Sequence, residues 1–256
     1  MPDFVNTVDL IGDDALIDSI IDRSITEYAD NNITRIGKYA FRNCSALVSV
    51  DLPSATRIDS YAFSDCSSLV SINFPLVTHI ESDAFFKCSK LTSVDFPLVT
   101  SIGSSVFKNC SSLVSANFPL VTSIESDEFY DCSKLTSVNF PQATNIGGSA
   151  FRYCSKLTTV DFPSATKIGF DTFSSCSRLT TLILRNTNAV CTLGMDALSS
   201  TPIESGTGYI YVPAALVDSY KAKSNWKTYA NQFRALENYT VDGTITGALD
   251  DSKVNA

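Results

Sequence analysis

The residues that could carry out acid–base or nucleophilic chemistry are few. Among 256 residues there is one histidine, His79, one tryptophan, Trp226, and eight cysteines. Histidine titrates closest to neutral pH, so a single copy leaves little for general acid–base catalysis. His79 also stands at a repeat position that elsewhere holds Arg, Ser, Asn or Lys, as solvent-facing positions do. The sequence therefore favours a protein that is not an enzyme.

Seven of the eight cysteines follow one another at intervals of 22 residues, from Cys44 to Cys176. On adjacent turns of a coil, such cysteines would fall within the Cα separation that a disulfide allows, but parallel side chains rarely reach its torsion. The chain has no Cys-x-x-Cys motif and no nearby histidine for zinc. We predict buried free thiols, no metal and no cofactor. Cys191 lies outside this column. It is either packed within an insertion between two repeats or, if the chain has a reactive thiol, it is that thiol.

The cysteine spacing is one part of a repeat. Phenylalanine recurs three residues before each of the seven cysteines and leucine three residues after it, and isoleucine and proline columns keep the same period. One unit reads I-G-x-x-A-F-x-x-C-S-x-L-x-S-V-x-F-P-x-x-T-x. A unit of this length cannot bury its own apolar face and gains a core only by stacking on its neighbours. The sequence predicts a solenoid.

Each unit is predicted to contain one short strand. In L-x-S-V-x-F-P apolar and polar residues alternate, so Val50 and Leu52 point inward while Ser49 and Asp51 point outward. The proline has no N–H to donate and ends the ladder. The A-F-x-x-C-S segment is expected to form a short helical or 3₁₀ turn on the opposite side. The predicted fold class is an α/β repeat solenoid with a parallel β-sheet on one side.

Both ends are predicted to carry helical caps, because an open end would expose the core. An apolar stripe opposite acidic residues predicts a capping helix within residues 1–23. The repeats occupy 24–213, two further helices form a cap at 214–238, and 239–256 is a hairpin or a frayed tail. The apolar stripes consist of Leu16, Ile17, Ile20 and Ile21 at the first end, and of Leu216, Val217 and Tyr220, then Trp226, Tyr229, Ala230, Phe233 and Leu236, at the second.

The motif L-x-x-V-x-F-P followed by I-G-x-x-A-F-x-x-C resembles the BspA-like (Treponema pallidum-type) leucine-rich repeats over about residues 24 to 213. This resemblance implies a right-handed leucine-rich-repeat coil. It also implies an extracellular or surface-displayed binding protein of host-associated bacteria, often an adhesin for host or bacterial surface components, without catalytic residues or cofactor. The expected partners are then surface proteins or glycans of a host or a bacterium.

The outward face of the predicted sheet holds the candidate binding residues. One outward column is Ser or Thr throughout, and in the other no two aspartates are adjacent, which relieves repulsion between stacked charges. Duplication of a 44-residue double unit accounts for the same pattern, since residues 74–97 and 118–141 match at 19 of 24 positions. Such a face is flat and has no large anchoring side chains, so it suits sugars or no ligand at all. The second column consists of Asp51, Asn73, Asp95, Asn117, Asn139 and Asp161.

At the carboxy-terminal end the outward columns change to Thr181, Ile183, Tyr209 and Tyr211. Exposed tyrosines beside isoleucine form an amphipathic patch of the kind that binding sites use. The alternative is that the cap or the tail covers these residues. We include all four among the candidate ligand-binding residues.

Charge and hydropathy argue against two kinds of partner. The net charge of −8 repels nucleic acid, and no apolar run approaches the roughly 18 to 20 residues that cross a bilayer. The amino terminus lacks the pattern of a signal peptide, so cytoplasmic or virion-associated localisation stands beside a secreted or cell-surface one. The leading hypothesis is a non-enzymatic adhesion or recognition module. The alternative is a structural spacer or tip component of a larger assembly such as a phage tail, since the carboxy-terminal cap resembles that of prophage-encoded relatives.

Overall fold

A computed structural model describes residues 8–11, 14–17 and 23–236. The 22-residue units stack as successive coils of a parallel-strand solenoid, and the coils build two hydrogen-bonded ladders. Pairing joins the same repeat position in adjacent coils: Val50 pairs with Ile72, and Ile58 pairs with Ile80. Equivalent side chains therefore lie one above another, and we name each coil by its cysteine.

The strands that the alternating pattern predicts form the first ladder, here called the long-strand ladder, to which Phe233–Leu236 adds a strand that was predicted as helix. In the Cys88 coil, Val94 is buried between exposed Ser93 and Asp95, as expected. These strands form three hydrogen-bonded sheets within the described ranges. They are Glu27–Ala29, Ser49–Asp51, Ser71–Asn73, Ser93–Asp95, Ser115–Asn117, Ser137–Asn139, Thr159–Phe162, Thr181–Leu184, Tyr209–Pro213 and Phe233–Leu236.

A second, short-strand ladder lies at the I-G position of the repeat and was not predicted. Most of its strands have two residues, too few for an alternating pattern to show in the sequence. In each of these pairs the second residue, such as Ile58 or Ile80, is buried. The strands are Val8–Ile11, Asp14–Ile17, Arg35–Ile36, Arg57–Ile58, His79–Ile80, Ser101–Ile102, Ser123–Ile124, Asn145–Ile146, Lys167–Ile168 and Thr192–Leu193.

The A-F-x-x-C-S segment forms consecutive β-turns, so the helical or 3₁₀ turn predicted there is wrong. The N–H of Cys44 donates to the carbonyl of Phe41 at 3.0 Å, whereas the N–H of Phe41 donates to Ala62 of the next coil at 2.7 Å. Asn43, the third residue of this turn, has a φ of 62°, as in a type II turn. Because alternate N–H groups bind the neighbouring coil, they are not free to form a helix.

Stacked phenylalanines fill the core. The column from Phe41 to Phe173 has ring centroids 4.9 to 5.6 Å apart between adjacent coils, with nearly parallel planes. The phenylalanines that precede the repeat prolines, from Phe74 to Phe162, form a second buried column against it. Burial of these rings between coils stabilises the stack, as expected where each coil is too small to have a core of its own.

The amino-terminal end differs from the capping helix predicted within residues 1–23. Asp14–Ile17 is a strand that pairs antiparallel with Val8–Ile11 and parallel with Arg35–Ile36. An open ladder edge leaves N–H and C=O groups without partners, and an added strand satisfies them where a helix would not. Ile20 and Ile21 of the predicted helix, like the tail at 239–256, lie outside the described residues.

The carboxy-terminal cap is helical in part. A 3₁₀ helix at Ala214–Leu216, an α-helix at Val217–Ala222 and a 3₁₀ helix at Lys227–Gln232 follow the last repeat strand. The second predicted helix was extended too far, because Phe233–Leu236 is a strand parallel to Tyr209–Pro213. Here too, pairing of the exposed sheet edge takes precedence over the helical pattern of apolar residues.

Two aromatic side chains attach the cap to the solenoid. The N–H of Cys191 donates to the hydroxyl of Tyr220 at 3.0 Å, and Nε1 of Trp226 donates to the carbonyl of Cys191 at 2.7 Å. The two rings contact each other edge to face with centroids 5.5 Å apart, and both are buried. The cap thus satisfies the backbone of the inserted segment that carries Cys191.

Candidate functional site

The cysteine column is structural. All eight cysteines are buried as free thiols. From Cys66 to Cys176, each Sγ donates to the carbonyl of a phenylalanine in the preceding coil, at 3.0 to 3.2 Å. Burial raises the pKa of these thiols, to about 12 for Cys176, so the nucleophilic thiolate is scarcely populated at neutral pH.

Cys191 is as inaccessible as the column cysteines. Its side chain is fully buried, and burial raises the pKa of its thiol to about 12 although the nearby Lys223 acts in the opposite direction. Of the two predicted roles for Cys191, packing within the insertion therefore agrees with the structure. A reactive thiol would need exposure and a lowered pKa.

His79 lies at the surface, where Thr78 Oγ1 and His79 Nδ1 are 2.8 Å apart. Among the described residues, no group of three or more His, Cys, Asp or Glu side chains is placed to hold a metal ion. Every described helix also falls short of the length and apolar character needed to cross a membrane.

The outer face of the long-strand ladder carries a hydrogen-bonded ladder of carboxylates and amides. Nδ2 of Asn73 donates to Oδ1 of Asp51, and Nδ2 of Asn117 donates to Oδ1 of Asp95, each at 2.7 Å. Asn139 donates in the same way to Asn117 at 2.7 Å. The amides therefore stabilise Asp51 and Asp95 by hydrogen bonding as well as separating the stacked carboxylates.

Two columns of exposed aliphatic residues border these polar columns along the chain. Leu76 leaves 47% of its surface exposed, and Leu98 and Leu120 follow at the same position in the next two coils. On the other border, Val48, Val70 and Val114 stand directly before the Ser column and are exposed as well. We call the polar columns together with these six residues the outer face. Sequence reasoning missed the leucines, although they follow the repeat prolines where other coils have Ser54, Gln142 or Ser164.

The patch predicted at the carboxy-terminal end is largely covered. Ile183 is only 4% exposed, so its expected role as an exposed apolar contact is wrong. Tyr209 is half-buried, with the guanidinium of Arg234 4.2 Å from its ring centroid, and Tyr211 pairs with Arg234 across the ladder. The strand Phe233–Leu236, which was predicted as helix, supplies this covering arginine.

The remaining two candidate residues, Thr181 and Asp161, lie in different surroundings. Thr181 is half-buried and pairs with Thr159 and Tyr209 in the ladder. Asp161 accepts hydrogen bonds from Nε and the terminal NH₂ of Arg185 at 2.7 to 3.0 Å. The structure thus brings the Asp and Asn residues into one regular column, but it separates Asp161 from the others by this ion pair.

A groove of about 420 Å³ crosses the short-strand ladder in the later coils. Its floor contains Gly147, Gly169 and Gly194, where a Cβ atom would come within 2.3 to 2.6 Å of neighbouring backbone. Phe170, 59% exposed, lines one border, and Lys167 another. The sequence shows the glycine of the I-G position, but it does not show the groove, which forms because three consecutive coils have glycine there.

The stacked coils, their 22-residue period and the parallel ladders define a leucine-rich-repeat solenoid. The family model described as "BspA type Leucine rich repeat region" matches residues 11–122 and 100–210, with six copies. The chain belongs to this family. Proteins built from leucine-rich repeats generally act in protein binding or surface recognition rather than in catalysis.

Solved structures of bacterial leucine-rich-repeat proteins share the fold. A leucine-rich cell surface protein from Faecalibacterium prausnitzii A2-165 is 22% identical, with a TM-score of 0.55 over 78% of this chain and 72% of that one. A leucine-rich repeat protein from Eubacterium ventriosum is 23% identical, with a TM-score of 0.50 over 69% of this chain and 43% of that one. The T. pallidum leucine-rich repeat protein is 24% identical, with a TM-score of 0.48 over 57% and 83%. A search of curated proteins finds no match.

Proposed function

We propose that this chain is a non-enzymatic recognition module that binds a protein partner through the outer face of the long-strand ladder. The observation that carries the proposal is the exposure of two aliphatic columns on either side of a polar centre, with Leu76, Leu98 and Leu120 in three consecutive coils. Exposed apolar side chains that gather on one face, rather than lying scattered singly, mark protein interaction sites.

A protein suits this face better than a glycan does. Its apolar members are valines and leucines spread over several coils, whereas small-molecule sites are concave and gather apolar and aromatic side chains with a few polar groups in one place. A second protein chain can contact both aliphatic borders at once. Between the borders, the Ser hydroxyls and the Asp and Asn side chains supply hydrogen bonds at the fixed spacing of the ladder.

We further propose that recognition takes place at a bacterial cell surface. Two things support this: membership of the BspA type repeat family, and the similarity to a solved chain described as a cell surface protein. A host component is the partner that the family resemblance favours, and a surface protein of another bacterium is the alternative.

The test is binding to an array of host-matrix proteins, bacterial surface proteins and glycans. The variant combines Leu76→Ser, Leu98→Ser and Leu120→Ser, which is native-like because Ser54 and Ser164 stand at this position in other coils. The matched control is Met195→Ser, which removes a side chain that is 72% exposed and lies outside the outer face.

We expect at least one protein to bind, with affinity reduced tenfold or more in the triple variant and unchanged in the control. Binding that the leucine substitutions leave intact would contradict the proposed surface. Binding of glycans alone would contradict a protein partner. An array without specific binding would contradict recognition altogether and favour a structural spacer.

A further inference from the structure

The acidic side chain of Glu128 lies inside the solenoid, in the Cys132 coil. Glu128 is 0% exposed, and neither of its carboxyl oxygens has a hydrogen-bond partner among the described residues. Its backbone is regular, since its carbonyl accepts from the N–H of Phe107 at 3.0 Å. The same interior position holds Ala40, Ala62, Ala84, Val106, Ala150, Thr172 and Ala197 in the other coils.

The groups around Glu128 do not stabilise a negative charge. Within its own coil they are the Glu125 carboxylate and the Cys132 thiol, and from earlier coils the Asp83 carboxylate and the Cys110 thiol. The backbone of Val106 acts in the opposite direction and favours the ionised form, but burial outweighs it, and neither carboxyl oxygen has a hydrogen-bond partner among the described residues. An unpaired buried carboxylate is strongly destabilising, so the closed coil holds the neutral acid.

We propose that Glu128 makes the Cys132 coil a pH-dependent weak point at which the solenoid opens as the pH rises. The proton is retained while the coil is closed and is released to water when the coil opens. Because each coil contacts only its neighbours, the cost of this one group acts on the two interfaces of the Cys132 coil rather than on the whole solenoid.

The direction of the pH effect follows from proton linkage. Burial raises the pKa of Glu128 well above that of an exposed glutamate, so the closed coil binds a proton that the open coil gives up. The stabilisation is complete below the ordinary glutamate pKa of about 4.3 and is lost as the pH rises towards the raised pKa of the closed coil. Across that interval the opening equilibrium increases by up to about tenfold per pH unit.

Another coil of the same chain shows what the sequence around Glu128 looks like without the glutamate. Glu125-Ser126-Asp127-Glu128-Phe129 in the Cys132 coil corresponds to Glu81-Ser82-Asp83-Ala84-Phe85 in the Cys88 coil, so the only difference within this stretch is glutamate against alanine. Glu128→Ala therefore recreates a sequence that the solenoid already accommodates. Glu125→Ala is the matched control, since it removes a half-buried carboxylate from the same coil.

Amide hydrogen exchange of the full chain between pH 5 and pH 8, corrected for the intrinsic exchange rate, tests the proposal. The reporting amides are those of Phe107 and Phe129, which donate to Glu128 and Ala150 across the two interfaces of the Cys132 coil. In the wild type and in Glu125→Ala, we expect their opening equilibrium to rise with pH by up to about tenfold per unit. In Glu128→Ala and Glu128→Gln we expect no such rise.

The amide of Phe63, which donates to Ala84, provides an internal reference that stays flat with pH in the wild type. A pH dependence at Phe107 and Phe129 that persists in Glu128→Ala would overturn the proposal. So would a wild type without pH dependence at those amides, or a rise of equal size at Phe63.

Discussion

The amides of the outer face lead to a quantitative prediction for Asn117→Asp. Asn117 donates to Asp95 at 2.7 Å and accepts from Asn139 at 2.7 Å. The substitution keeps the acceptor for Asn139, but it replaces the donated hydrogen bond with two carboxylates on adjacent strands. The side chain is nearly isosteric, so packing is otherwise unchanged.

The magnitude follows from two contributions. Loss of the hydrogen bond costs about 0.5–1.5 kcal/mol. Two like charges about 4 Å apart in water repel by about 1 kcal/mol, and both groups lie at or near the surface, where the dielectric constant is close to that of water. We expect Asn117→Asp to reduce the free energy of unfolding by about 1.5–2.5 kcal/mol at pH 7 and low salt.

The assay is urea-induced unfolding at low salt and in about 1 M salt, where the Debye length falls to about 3 Å. Asn117→Ser is the control without an added charge, and it loses the hydrogen bond from Asn139 as well as the one to Asp95. Relative to the Ser variant, the Asp variant is expected to gain about 1 kcal/mol in free energy of unfolding between low and high salt. A stability difference between the two variants that does not change with salt would refute the argument that the amides separate stacked charges.

Three further predictions concern the core, the cap and the thiols. Phe107→Ala should reduce the free energy of unfolding by about 3–5 kcal/mol in urea titrations, because it removes one ring from a continuous stack; an unchanged midpoint would contradict the inward orientation. Trp226→Phe should lower stability by about 1–3 kcal/mol, since the carbonyl of Cys191 loses its donor; an unaltered melting temperature would show that the cap is not held by this bond. In the native protein all eight thiols should resist an aromatic disulfide reagent at pH 8 and react in denaturant; rapid native reaction at Cys191 would contradict its burial.

Sequence periodicity predicts the repeating part of this fold because every coil presents the same residues to its neighbours. Inward positions such as those of Phe107 and Cys110 hold the same residue seven times in phase, and the outward position of Asp95 holds Asp or Asn six times. A three-residue strand that occurred once would be hard to recognise in a sequence, but the same pattern repeated in every coil identifies it. The polar column of the candidate face could therefore be predicted residue by residue.

The ends were harder to predict because they occur once and their pattern fits two structures. The apolar residues at 226, 229, 230 and 233 suit a helix, yet Phe233 begins a strand. Asp14–Ile17 likewise forms a strand where a helical stripe was predicted. In both places a ladder edge needs hydrogen-bond partners, and that requirement comes from the neighbouring strand rather than from the segment's own sequence.

The candidate site was predicted in its polar centre but not at its borders. The sequence left open whether Ile183 and Tyr209 are exposed or covered. Ile183 is buried, and Arg234 reaches Tyr209 only because the cap continues as a strand. The exposed Leu76, Leu98 and Leu120 follow repeat prolines, where the chain turns and the alternation of the strand no longer indicates which side chains are buried.

The most direct test of the proposed recognition surface is site-specific photo-cross-linking. A photoreactive amino acid in place of Leu98 lies on the outer face, and one in place of Met195 is more exposed but lies outside it. With a protein identified from the array, irradiation should produce a cross-linked complex from the Leu98 position and little or none from the Met195 position. Equal cross-linking at both positions, or cross-linking only at Met195, would contradict recognition through the outer face.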